Sequence, residues 1–225
     1  MKVLKFNTSE NQKVFFGSDF HLSHLRDFVW QARGHNSVQS HADAVIDGIN
    51  ARVRENDILV YLGDYSLNSN PDETKEYFRR IKCKNILYVW GNHESSTRAI
   101  YRDAVKAALG ILSFQHSEVY PLKWENVKFL GNSAFISVDD QMIVISHFAH
   151  YIWDMMQHGA WNICGHSHSN CPLLSVESDE GKILDVGVDN ALKHTNSPCF
   201  SFEEVKAIMD KKRVVVRDHH NAQTT

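Results

Sequence analysis

What the chain has little of narrows its chemistry before any motif is read. Its 225 residues include four cysteines, and the closest pair, Cys164 and Cys171, lacks Cys-x-x-Cys spacing, so buried reduced thiols are expected rather than a thiolate site. No apolar run approaches the length that spans a bilayer, and the segment Met1-Lys-Val-Leu-Lys-Phe-Asn-Thr-Ser lacks the apolar stretch of a secretory signal. The expectation is a cytoplasmic protein with no membrane partner. Excess positive charge is missing too: a formal net charge of −3 offers no basic field to hold a long polyanion, which weighs against a processive nuclease. Repeats, linkers and low-complexity tracts are absent. The length suits one well-buried domain, predicted over residues 1–216, with the polar stretch 217–225 as a frayed tail.

Histidine, by contrast, is plentiful. Of the 14, His21, His24, His93, His147, His150, His166 and His168 lie in or beside five short polar clusters. In chain order these are Asp19-Phe-His21, Gly63-Asp64, Gly91-Asn92-His93-Glu94, Ser146-His147 and Gly165-His166-Ser167-His168. Each follows an apolar run, respectively Val14-Phe-Phe-Gly, Ile58-Leu-Val-Tyr-Leu, Ile86-Leu-Tyr-Val-Trp, Met142-Ile-Val-Ile and Trp161-Asn-Ile-Cys. Such runs are short and rich in β-branched and aromatic residues, so they read as central strands buried on both faces, each emerging into a loop that presents side chains to a cleft. The pooled ligand types are carboxylate, amide and imidazole. That set suits first-row divalent cations such as manganese, iron or zinc, and points to a dinuclear centre for metal-assisted hydrolysis. Glycines 63, 91 and 165 stand before candidate ligands, where they mark turns, let the backbone tighten, or do both.

Between the first three runs lie helical patterns. Ala42, Val45, Ile46, Ile49 and Val53 form one apolar stripe. Asn70 as N-cap, Pro71 at the first helical position and Glu73 placed to close a capping box start a second helix, with Tyr77, Phe78 and Ile81 as its buried side. A third begins near Ser95 and Ser96, carries Ile100, Ala104, Ala107 and Ala108, and stops at Gly110. Beyond Gly110 the pattern is mainly strand, with Val127-Lys-Phe-Leu, Ala134-Phe-Ile-Ser-Val, a turn at Asp139-Asp140, and a short final helix opened by Ser201 and Glu204. The predicted fold class is α/β: a two-sheet sandwich flanked by helices, with loops from several strands converging at one edge.

The five motifs in this order resemble those of the calcineurin-like metallophosphoesterase superfamily, over Asp19 to His168. Ser18-Asp19-Phe-His21-Leu-Ser-His24, with Gly187-Val-Asp189 and Pro198, is similar to its compact bacterial and phage phosphoesterases. The resemblance implies a metallophosphoesterase fold and two divalent metal ions, manganese first, with iron, zinc, nickel or magnesium as alternatives. It implies that Asp19, His21 and His168 hold one ion, that Asp64 bridges, and that Asn92, His147 and His166 complete the other. A hydroxide shared by the two ions is then the nucleophile. His93 is left to act as general acid on the leaving group, with Glu94 orienting it or raising its basicity. One departure is informative: where protein phosphatases of the superfamily carry Gly-Asp-x-x-Asp-Arg-Gly, this chain reads Gly63-Asp64-Tyr-Ser-Leu-Asn, which removes a phosphate-binding arginine and argues against phosphoprotein substrates.

The expected activity is hydrolysis of a small phosphoester, a phosphodiester or nucleotide-like compound in preference. A nuclease and a non-catalytic metal-binding scaffold are the alternatives. His24 either orients a ligand or touches substrate. His150, with Tyr151 and Trp153, lines the pocket or merely packs. His35, His41, His116, His158, His219 and His220 read as structural, and Asp185 and Asp189 are left without an assigned role.

Overall fold

The five apolar runs become five strands whose ends converge. The computed structural model describes residues 3–110 and 122–217, so the tail expectation falls almost wholly outside the described residues, as do His116, His219 and His220. Among the described residues one sheet has six strands in the order β11 (Phe200–Ser201), β2 (Val14–Gly17), β3 (Ile58–Tyr61), β4 (Ile86–Val89), β6 (Val127–Gly131) and β5 (Leu122–Trp124). The other has five: β1 (Leu4–Phe6), β7 (Ser133–Val138), β8 (Gln141–Ser146), β9 (Trp161–Cys164) and β10 (Ile183–Asp185). Helices α1 (Asp27–Ala32), α2 (Val38–Arg52), α3 (Pro71–Arg80), α4 (Ser95–Leu109), α5 (Val188–Thr195) and α6 (Phe202–Met209) flank them. This is the expected two-sheet sandwich.

The central strands are parallel, β2 to β3 to β4 to β6, and all four residues of β2, β3 and β4 are buried. Alternation explains why the runs are continuous rather than amphipathic. Val14, Phe16, Ile58, Val60, Leu87 and Val89 face a core shared with Ile136, Ile143, Ile145, Ile163 and Leu184 of the five-stranded sheet. Phe15, Leu59, Tyr61, Ile86 and Tyr88 face the opposite core, closed by α2, α3 and α4. A 15-residue helix is marginal alone. What holds α2 is its stripe of Ala42, Val45, Ile46 and Ile49, each large apolar side chain contributing roughly 1.5–3 kcal/mol on burial.

Local signals behave as physics requires, with three exceptions. Ser201 and Glu204 form the predicted capping box, Gly110 adopts the left-handed conformation that ends α4, and Asp139 and Asp140 both take positive φ in the two-residue turn between β7 and β8. Asn70 does cap α3, accepting from Glu73 N. The Glu73 carboxylate does not complete the box; it turns to Ser23 Oγ and Tyr77 OH. The buried face of α4 is Ile100, Tyr101 and Val105, whereas Ala107 and Ala108 are exposed. Helix α5 interrupts the second half, where strand was expected, and Gly187 at its start pairs with Ser18 in a parallel bridge.

Candidate metal centre

Loops leaving the carboxyl ends of β2, β3, β4, β8 and β9 meet at one edge, and there the backbone is unusual. Asp19, His21, Asp64, His166 and His168 all have φ between 48° and 70°. Non-glycine residues rarely adopt this region, at about 1–3 kcal/mol each. Main-chain bonds between loops hold them: Asp19 N donates to Gly63 O at 3.0 Å, His21 N to Asp64 O at 3.0 Å and Leu22 N to Tyr65 O at 2.9 Å. Two glycines are required by close approach. A Cβ at Gly91 would overlap the Asp64 carboxylate, and one at Gly165 would overlap Ser18 Oγ and lie 2.6 Å from Asp19 Oδ2.

On this frame the ligand atoms converge in two overlapping groups, Asp19 with His21 and His168, and Asp19 with Asp64 and His147, the atoms of each lying within 4.8 Å of one another. Asp64 Oδ2 sits 3.8 Å from His21 Nε2 on one side and 3.5 Å from His147 Nε2 on the other. His147 Nδ1 donates to Leu62 O at 2.7 Å and His168 Nδ1 to Asp189 Oδ2 at 2.7 Å, so each ring turns its Nε2 lone pair inward. His147 Nε2 faces Asn92 Oδ1 at 2.9 Å, and His168 Nε2 faces His21 Nε2 at 3.1 Å. Asp19 Oδ1 is buried without a hydrogen-bond partner. A buried carboxylate oxygen lacking a donor, among lone pairs that face each other, fits a cation and is costly otherwise.

Electrostatics carry the same signature. Burial pushes the Asp19 carboxyl up to about 7, with Asp185 adding to the rise and His168 opposing it. Burial lowers His21 to about 2, helped by His168 and Arg33, and lowers His147 as well. For His168 burial opposes the charge, yet the Asp189 hydrogen bond and the Asp19 carboxylate carry its pKa up.

The other expected residues divide. His93 and Asn92 are exposed at the rim; His93 N donates to Asp64 Oδ1 at 2.8 Å and its ring lies 5.7 Å from that of His21. His166 is also exposed, its N donating to Asp19 Oδ2 at 2.8 Å while its ring packs near His147 and Phe148, outside both groups of converging atoms. Glu94 does not orient His93. Its buried carboxylate accepts from Asp64 N at 2.8 Å, Gly91 N at 3.0 Å and Tyr88 OH at 2.7 Å, tying two ligand loops together, and burial raises its pKa to about 7. A cleft of about 610 Å³ opens over the centre. His24 lines it beside Phe28, Val29 and Ala32; His150 is not among its walls and instead donates its main-chain N to Asn162 Oδ1.

Sequence reasoning missed Arg33 altogether and left Asp189 without a role. All five guanidinium N–H groups are engaged: Nε to Asp189 Oδ1 at 2.7 Å, Nη2 to Asp189 Oδ2 and Asp19 O, both at 2.9 Å, and Nη1 to Phe20 O at 2.9 Å and His41 Nε2 at 3.0 Å. Burial opposes the Asp189 charge, but His168 and Arg33 hold its carboxyl well below the usual range. No local pattern announces a pair 156 residues apart.

A family model described as calcineurin-like phosphoesterase matches residues 13–216. The crystal structure of a protein of unknown function from Aquifex aeolicus superposes with a TM-score of 0.56 at 15% identity, covering 88% of this chain and 100% of that one, a likeness of fold. An uncharacterised protein of Methanocaldococcus jannaschii is 26% identical over 83 residues, 37% of this chain; the match spans about half of that relative, 47% of its length.

Proposed function

The chain belongs to the calcineurin-like phosphoesterase family, whose chemistry is metal-dependent phosphoester hydrolysis, and from that premise we propose a dinuclear phosphohydrolase acting on a small phosphoester. The observation that carries the reading is the buried group of converging donors around Asp19 and Asp64, with Asp19 Oδ1 left unpartnered. Asp19, His21 and His168 would hold one cation, Asp64 both, and Asn92, His147 and, from the rim, His166 the other. When bound, the two divalent cations, manganese by preference, supply Lewis acidity toward the phosphoryl group and acidify water.

The chain's own residues then have distinct tasks. His93 stands at the cleft with its main chain fixed by Asp64 and its ring exposed, which suits proton donation to a leaving-group oxygen. Glu94 is a positioning residue that keeps the Asp64 and Gly91 loops in register.

Substrate size follows from the walls. Arg33, whose N–H groups are all engaged, is the sole lysine or arginine lining the cleft among the described residues, so further phosphates would find no free lysine or arginine to pair with. Phe28, Val29 and Ala32 offer apolar surface instead, and Phe28 is 65% exposed. These features favour a phosphodiester or nucleotide-like compound bearing a flat or apolar group over a nucleic acid. No helix among the described residues is long and apolar enough to cross a membrane, and with Cys83, Cys164 and Cys199 buried we assign the protein, as one domain over residues 1–216, to the cytoplasm.

The test is a hydrolysis screen of manganese-loaded protein against alkyl and aryl phosphodiesters, phosphomonoesters, nucleotides, phosphopeptide and DNA. Turnover is expected on aryl diesters above methyl diesters, falling about a thousandfold in Asp64→Asn, since the ions supply several kcal/mol. His93→Ala should slow poor leaving groups more than activated aryl esters. A fully active Asp64→Asn sinks the site, DNA cleavage as the dominant activity selects the nuclease, and equal turnover of methyl and aryl esters removes the argument from Phe28.

A further inference from the structure

We propose that Arg33 is the positioning residue of this centre: one guanidinium fixes two ligands of the Asp19 half, His168 through Asp189 and Asp19 through its own main chain. The inference rests on the metal-centre reading above and goes beyond it. His168 belongs to a loop after β9, where its own φ is 48°, and nothing in that loop hydrogen-bonds its ring. The ring is oriented by Asp189 from the first turn of α5, a carboxylate that without a countercharge would be free to turn toward solvent. Arg33 supplies that countercharge as a two-pronged pair, and its side chain is only 3% exposed. The second Nη2 hydrogen bond and one from Nη1 go to Asp19 O and Phe20 O, the two carbonyls between the positive-φ residues Asp19 and His21. A buried arginine spending four of its five N–H groups on the surroundings of one ligand pair, and the fifth on His41, sets geometry rather than binding substrate.

The geometry makes a specific demand on chemistry. Asp189 accepts from Nδ1, so His168 must carry its proton there and present a bare Nε2 to the cation. Removing Asp189 or Arg33 frees the ring to rotate and to change tautomer. The His147 ring is oriented apart from this network, by the main-chain Leu62 O, so the larger loss falls on the half that contains His168.

Manganese titration of the purified full chain by calorimetry, with metal content by mass spectrometry, tests the proposal on Arg33→Lys and Asp189→Asn. The expected result is a 10–100-fold loss of affinity at one of two sites, with a smaller change at the other and the circular dichroism spectrum retained. Lysine, keeping charge but not the fork, should restore only part of what Arg33→Ala loses. Nitrogen-15 shifts of the His168 ring, read without metal at a pH high enough for the ring to be neutral, should report an Nδ1-protonated tautomer in the parent and a mixture in Asp189→Asn. Should the arginine variants fail to fold, Asp189→Asn and the ring spectrum still decide. Parental affinity together with a parental tautomer in Asp189→Asn overturns the positioning role alone. A parent that binds no manganese overturns the metal centre and this inference with it.

Discussion

The two halves of the proposed centre are held by different means. On the Asp19 side, the ring of His168 is aimed by a side chain, Asp189, which is itself held by another side chain, Arg33, from the connection between α1 and α2. On the Asp64 side, His147 is aimed by the carbonyl of Leu62, immediately before Gly63-Asp64. A main-chain acceptor cannot be mutated away and moves only if the sheet moves. The His147 ring is thus tied to the chain that leaves β3, whereas the Asp19 half is tuned by residues distant in sequence. It is therefore the half in which variants elsewhere in the chain should be felt.

The strongest way to break that contrast is through the backbone, where the halves are alike. A methyl at Gly165 would press on Ser18 and Asp19, and one at Gly91 on Asp64. Gly165→Ala and Gly91→Ala should each cost about 1–3 kcal/mol of stability by overpacking, read by urea unfolding. An unchanged midpoint in either would show that the loop relaxes and that close approach is not what requires the glycine.

A smaller effect sharpens the contrast. Burial holds the Asp19 carboxyl up at about 7, and Asp189 and Asp19 raise the pKa of His168, so below that pH the pair retains protons that a cation must displace. His147, its pKa lowered by burial, is neutral already. Manganese affinity at the Asp19 half should thus fall about tenfold per pH unit below 7 and level off above it, while the Asp64 half changes less. Two binding constants that move in parallel across pH 5.5–8 would remove the electrostatic distinction between the halves.

Much of this was legible in the chain because the signals are local. A parallel strand buried on both faces must be apolar throughout, so Ile58-Leu-Val-Tyr-Leu and Ile86-Leu-Tyr-Val-Trp announce strands, and the ligand loops sit directly after them. Helix α1 buries no residue and so writes no stripe into the sequence. Glu73 follows a capping-box spacing but finds Ser23 and Tyr77, a tertiary choice that outweighs a local one. Glu94 is adjacent to His93 in sequence and bonded to Asp64 and Gly91 in space. Arg33 and Asp189 are visible only once α5 has been folded back against the end of β2 through the Ser18–Gly187 bridge.

In the proposed centre Asp64 lies between two cation sites. Crystals grown with manganese and measured at an energy where it scatters anomalously test this directly. Two peaks per chain are expected, flanking the Asp64 carboxylate, one contacting Asp19, His21 and His168, the other Asn92, His147 and His166. No peak at Asp64, or a single one bound elsewhere, would contradict it.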